Sequence, residues 1–151
     1  MESRKKKERY QRITEQLHRL FLKTDNRLAR MSTAVALLHH KFEYFFWTGV
    51  YLLEKGELTI GPYQGSLACL VLPPKTGVCW TAIEKNETII VSNVEKFPGH
   101  IACDSRSRSE IAIPIRDKNG MVIGVLDVDS REMASFDATD AAELEKIVRL
   151  F

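Results

Sequence analysis

Three thiols and a set of carboxylates carry the chemistry open to this sequence: Cys69, Cys79 and Cys103, with Glu110, Asp127 and Asp129. Cys103 sits in the stretch FPGHIACDSRSRSEIAIPI, where Pro98-Gly99-His100 comes before it and Asp104-Ser105-Arg106 after it. A thiol kept for packing has apolar neighbours. This one is set in a polar, turn-rich loop, as a group on display. Arg106 and Arg108, if they approach, would favour its thiolate, though both also read as ordinary surface charges. Cys79 falls in the first turn of a predicted helix, where the helix dipole would act on it. The three positions make no CxxC pair and no even framework, so no structural disulfide scaffold is expected. His39, His40 and His100 add no ligand-spaced cluster to the cysteines, and no metal is expected.

Strand alternation sorts the acids and aromatics. Over Met121–Asp129, residues Val122, Gly124, Leu126 and Val128 point one way, and Ile123, Val125, Asp127 and Asp129 the other. Two carboxylates two residues apart then share a face, about 7 Å apart. Glu110 opens the neighbouring strand on the side of Ala112 and Pro114, and Trp47, Gly49 and Tyr51 share one side of an earlier strand. From local pattern alone the acids read equally as a solvated strand end, and the aromatic pair reads as core.

The elements that must position these groups follow from periodicity. Tyr10, Ile13, Leu17, Leu20 and Phe21, then Leu28, Met31, Val35 and Leu38, predict helices over about 8–23 and 26–39, broken near Thr24-Asp25-Asn26. Residues 44–53 are aromatic and β-branched, and Glu54-Lys55-Gly56-Glu57 turns them into a second strand, Leu58–Gly61. A third strand, Leu67–Leu72, stops at Pro73-Pro74. Thr76 is the expected N-cap of a short helix over Gly77–Lys85, and Thr88–Ser92 reads as a strand. Glu110–Arg116 and Met121–Asp129 form a hairpin in which Asn119-Gly120 supplies the positive φ angles. Asp137 and Asp140 open a last helix striped by Ala141, Leu144, Val148 and Phe151. Helices at both ends with hairpins between them predict an α+β fold on an antiparallel sheet.

Bulk properties exclude several roles. The 151 residues are 44% hydrophobic and 28% charged, proportions suited to a single domain, 1–151, with a sizeable core. A net charge of +2 is too small for a general polyanion binder, so no nucleic acid is expected. The basic run from Arg4 to Arg12 reads as a solvated helix start. No apolar stretch reaches membrane-span length, and the basic start lacks the apolar run of a secretion signal, so a cytoplasmic setting without membrane contact is expected. In a reducing compartment cysteines are either inert core residues or chemically employed.

Taken together, FWTGVYLL, GPYQGSLAC, GVC, FPGHIACDSRSRSEIAIPI, VIGVLDVDS and FDATDAAELEKI resemble the free methionine-(R)-sulfoxide reductases over essentially residues 10 to 150. The resemblance implies a GAF-like fold whose central antiparallel sheet is flanked by the N- and C-terminal helices. It implies reduction of free methionine-(R)-sulfoxide by thiol chemistry, with no cofactor and with thioredoxin as reductant, and it allows a homodimer. By the same resemblance Cys103 matches the nucleophile, which is left as a sulfenic acid. Cys69 matches the thiol that condenses with it to a disulfide, and Cys79 an auxiliary or alternative resolving thiol. Glu110, Asp127 and Asp129 match the acids that hold the substrate ammonium and polarise the S=O group. Trp47 and Tyr51 match the aromatic wall. Trp80 departs from the pattern, which usually has a small residue after that cysteine, and so bears on access to Cys79. The competing reading is a non-catalytic GAF sensor for a small ligand such as a cyclic nucleotide, which needs neither two thiols nor a carboxylate-rich pocket.

Overall fold

A computed structural model of the chain describes residues 1–100 and 103–151; Ile101 and Ala102 of the FPGHIACD motif lie outside the described residues. Six strands form one sheet: β1 (Trp47–Glu54), β2 (Glu57–Gln64), β3 (Val71–Leu72), β4 (Ile89–Val91), β5 (Ser109–Arg116) and β6 (Val122–Ser130). Their order is β3-β2-β1-β6-β5-β4, and every neighbouring pair is antiparallel. Helices α1 (Ser3–Phe21) and α2 (Arg27–Lys41) come before the sheet, α3 (Val78–Lys85) lies between β3 and β4, and α4 (Ala138–Val148) follows β6.

The sheet separates two apolar layers. On one side Tyr10, Ile13 and Leu17 of α1, Met31, Val35 and Leu38 of α2, and Leu144 and Ile147 of α4 pack on Ile111, Ile113, Leu126 and Val128. On the other side Val78, Trp80 and Ala82 of α3 pack with Trp47, Tyr51, Ala112 and Val125. Alternate residues of β5 and β6 therefore serve different layers, as the period of two requires. The second layer is thinner, and the site opens within it.

Several expectations need correction. Helix α1 starts at Ser3 rather than near residue 8, so the basic run is helical, and Lys6 within it is 3% exposed rather than solvated. Its ammonium donates to Asp140 Oδ2 at 2.7 Å, while the Tyr10 and Tyr44 hydroxyls donate to Oδ1 at 2.7 and 2.8 Å. Asp140 also closes a capping box with Asp137 at the start of α4, where the sequence placed both acids. Tyr44 and Phe45 leave the predicted strand to join this helix-side layer, so β1 begins at Trp47.

The third strand keeps only Val71 and Leu72 of the six predicted residues. The preceding carbonyls go elsewhere: Trp47 Nε1 donates to the Ser66 carbonyl at 3.0 Å and the Tyr51 hydroxyl to the Cys69 carbonyl at 3.0 Å. Side chains of β1 thus hold residues 65–70 as a loop over the sheet. Thr76 does not cap α3; its hydroxyl donates to the Pro74 carbonyl, and Gly77 occupies the N-cap. In the β5–β6 turn only Gly120 has a positive φ, 81°, and the Asp117 carboxylate accepts from the Asn119 and Met121 amides. Ile123 departs from strict alternation. The β5–β6 register shifts between Ile115 and Arg116, and Ile123 packs with the helix-side layer instead of sharing a face with Asp127.

Candidate active site

Sheet register assembles the site from residues far apart in the chain. Trp47 pairs with Asp129, which pairs with Glu110; one row further, Gly49 pairs with Asp127, which pairs with Ala112. Facing residues in such a ladder are about 4.5–5.5 Å apart at Cβ, so three carboxyls and an indole meet over three central strands. Gly49 is what lets the indole lie flat. A Cβ there would collide with the Trp47 ring and come within 2.6 Å of the Tyr63 Cβ. Trp47 stacks between Tyr51 and Tyr63, with centroids 6.0 and 5.7 Å away.

Two loops and α3 roof this floor. Trp47, Tyr51, Cys79, Cys103, Asp104, Glu110, Asp127 and Asp129 line one cavity with Ser66, His100 and Ser107. Every sequence-predicted site residue except Cys69 therefore lines it, and Cys69 is tied to it through Cys103. Cys69 and Cys103 are joined as a disulfide with their Cα atoms 5.6 Å apart, linking the loop before β3 to the loop before β5 across the cavity mouth. Cys79 is the free thiol and is buried. Trp80 packs in the apolar layer beside it and is not among the lining residues, so the large indole leaves Cys79 facing the cavity.

Burial dominates the electrostatics. Glu110 and Asp127 are each 5% exposed, and desolvation raises both carboxyls above their ordinary range. Asp127 and Asp129 raise Glu110 further, while the approach of Glu110 and Cys79 works in the opposite sense on Asp127. Burial, then Asp127 and Asp104, raises Asp129. Burial and the three acids push the Cys79 thiol up, so Cys79 is protonated where an unperturbed thiol would begin to ionise. Asp104 at the rim is the opposite case: hydrogen bonds from Arg106, at 2.7 Å for the guanidinium contact to Oδ2, hold it well below the usual carboxylate range. The site therefore favours the protonated form of its inner acids and the ionised form of the one at its mouth.

Three further residues beside the site were given no role by the sequence. His100 Nδ1 lies 3.8 Å from Glu110 Oε1, and burial lowers the imidazole's pKa. Phe46 is flanked by the guanidinium groups of Arg106 and Arg131 at 4.9 and 5.0 Å. Tyr63 backs the indole. All three fall within the motifs quoted above, yet their contacts with the site residues come from three-dimensional pairing and not from local spacing.

A GAF domain family profile matches residues 7–151, which assigns the fold to the GAF class. A GAF domain-containing protein A of Dictyostelium discoideum is 44% identical over 96% of this chain and 91% of its own length. A free methionine-R-sulfoxide reductase of Escherichia coli is 42% identical over 80% of this chain and 73% of its own length. The crystal structure of a Neisseria meningitidis free methionine-R-sulfoxide reductase with its substrate superposes with a TM-score of 0.88 at 38% identity, covering 93% of this chain and 84% of that one. This chain belongs to the free methionine-R-sulfoxide reductase family of GAF-domain proteins. Among the described residues no helix is long and apolar enough to cross a membrane.

Proposed function

We propose that the chain, as a single catalytic domain, reduces free methionine-(R)-sulfoxide to methionine. The observation that carries this reading is the Cys69–Cys103 bridge over a cavity floored by three protonatable acids and an indole. The relatives named above supply the substrate class; the residues supply a mechanism. A sulfoxide sulfur accepts a thiolate once its oxygen takes a proton, and Glu110 or Asp129 is the donor in this reading. Cys103 attacks that sulfur, the oxygen then migrates to the Cys103 sulfur as the S–S and S–O bonds to the substrate break, methionine leaves, and Cys103 is left as a sulfenic acid. The substrate sulfur gains two electrons and Cys103 loses them. Cys69 then displaces water to form the disulfide. An external dithiol of the thioredoxin type, oxidised in turn, returns both thiols. Cys79, buried and protonated, stays in reserve as the alternative resolving thiol. Glu110, Asp127 and Asp129 receive the substrate ammonium, which a peptide-bound methionine lacks. Trp47 and Tyr51 pack against its methyl end.

The bridged state has a cavity of about 50 Å³, a few water positions at roughly 10–15 Å³ each. That volume suits a state after turnover, which must open before the next substrate enters. The proposed setting is the cytosol, with a homodimer as the proposed assembly, which sedimentation tests directly. The deciding experiment incubates the protein with each diastereomer of free methionine sulfoxide and a thiol reductant, and quantifies methionine. Product is expected from the R form alone. A fully reduced protein inert toward it would end this reading.

A further inference from the structure

The acidic floor also brings together a donor set of the kind that binds metal ions. Cys79, Glu110 and Asp127 each present one donor atom, and the three lie within 4.8 Å of one another. Residues 79, 110 and 127 have no metal spacing in sequence; α3 and the β5–β6 pairing bring them together. Asp127 is 95% buried, and its Oδ1 has no hydrogen-bond partner, an unusual state for a buried carboxylate oxygen. Donors on a tetrahedral zinc ion stand roughly 3.3–3.7 Å apart, given bonds of about 2.1 Å to oxygen and 2.3 Å to sulfur. The 4.8 Å bound on the present spacing lies about 1 Å above that range. A thiolate with two carboxylates selects a thiophilic divalent ion over magnesium or calcium.

We propose that Cys79, Glu110 and Asp127 form a site for a zinc-type divalent cation, and that its occupation excludes the sulfoxide. The site stands on geometry alone; its inhibitory consequence rests on the function proposed above. Binding displaces the thiol proton and any carboxyl protons to solvent. No electrons move, so a chelator reverses it. The free coordination position faces the cavity that the ammonium and S=O groups would enter.

Cobalt(II) tests this, because a Co–thiolate bond has its own near-ultraviolet absorption. Two preparations leave Cys79 as the only thiol: the wild-type protein with its disulfide intact, and the Cys69→Ser/Cys103→Ser variant, which cannot turn over substrate. Each should take up one equivalent with a charge-transfer band. Adding Cys79→Ser should abolish the band, and adding Asp127→Asn should weaken binding at least tenfold. Saturating methionine-(R)-sulfoxide should weaken cobalt binding to the double variant by a similar factor. No band at millimolar cobalt or a band that survives Cys79→Ser would overturn the site, and an affinity insensitive to the sulfoxide, in a protein whose metal-free wild type turns the sulfoxide over, would overturn its inhibitory consequence. Circular dichroism of each variant separates lost ligation from lost folding. Failure of the reductase reading would appear elsewhere, as no turnover by metal-free wild-type protein, and would leave the band in place.

Discussion

Glu110 and Asp127 come from adjacent strands with Asp129 alongside, so full ionisation would put three like charges into one desolvated hollow. Their raised pKa values mean that the folded protein keeps protons the unfolded chain has already released. Stability should therefore fall as pH rises from the ordinary carboxylate value, about 4, toward the raised ones. Glu110→Gln, which cannot titrate, should flatten that slope; urea unfolding at a series of pH values measures it, and equal slopes would contradict the argument. In turnover, Glu110→Gln and Asp129→Asn should each lower kcat by about 10²-fold or more, as for loss of a general acid. Rates like the wild type in both would leave these acids without a catalytic role. Cys103→Ser should abolish turnover. Cys69→Ser should release about one methionine per protein and accumulate a sulfenic acid that dimedone traps; sustained cycling would move the resolving role to Cys79. Much of this was legible in advance, because a thiol in a polar loop and two carboxylates at i and i+2 are local features. The Glu110–His100 approach was not, since it depends on where a loop folds back.

At the scale of elements, the hairpins, the helical stripes and the α4 capping box could be read from period and turn chemistry, whereas departures from regularity could not. Residues 67–70 look like strand, yet indole and phenol groups from β1 claim the carbonyls of Ser66 and Cys69. Ile123 looks inward-facing with Asp127, yet a register shift turns it to the helices. Both outcomes depend on partners more than fifteen residues away or on another strand. Gly49 is the element-scale position with the sharpest consequence. Gly49→Ala drives a methyl into the Trp47 ring and toward Tyr63. Overpacking of this kind costs about 1–3 kcal/mol, and the displaced indole should raise KM for the sulfoxide more than it lowers kcat. Chemical denaturation and steady-state kinetics report the two effects separately.

Across the whole molecule, the N- and C-terminal helices are held together by one buried polar knot. Lys6, Tyr10 and Tyr44 all bond to Asp140, far from the cavity. Lys6→Met strands the Asp140 charge and should cost about 3–5 kcal/mol, with kcat per folded molecule unchanged. Combining it with Asp140→Asn should cost less than the sum of the two changes, since they share one interaction. The basic run hid this knot, because six cations between residues 4 and 12 give no sign of which one is buried. The bridge between Cys69 and Cys103 also acts on the whole chain. It joins residues 34 apart, and closing a ring of that size in the unfolded chain is worth about 3–4 kcal/mol in the chain-entropy account. Each catalytic cycle would then alternate between a tougher and a more fragile molecule, the dithiol form melting first. A cell short of reductant would hold its stock of this protein in the hardier form, idle but protected from unfolding until electrons return.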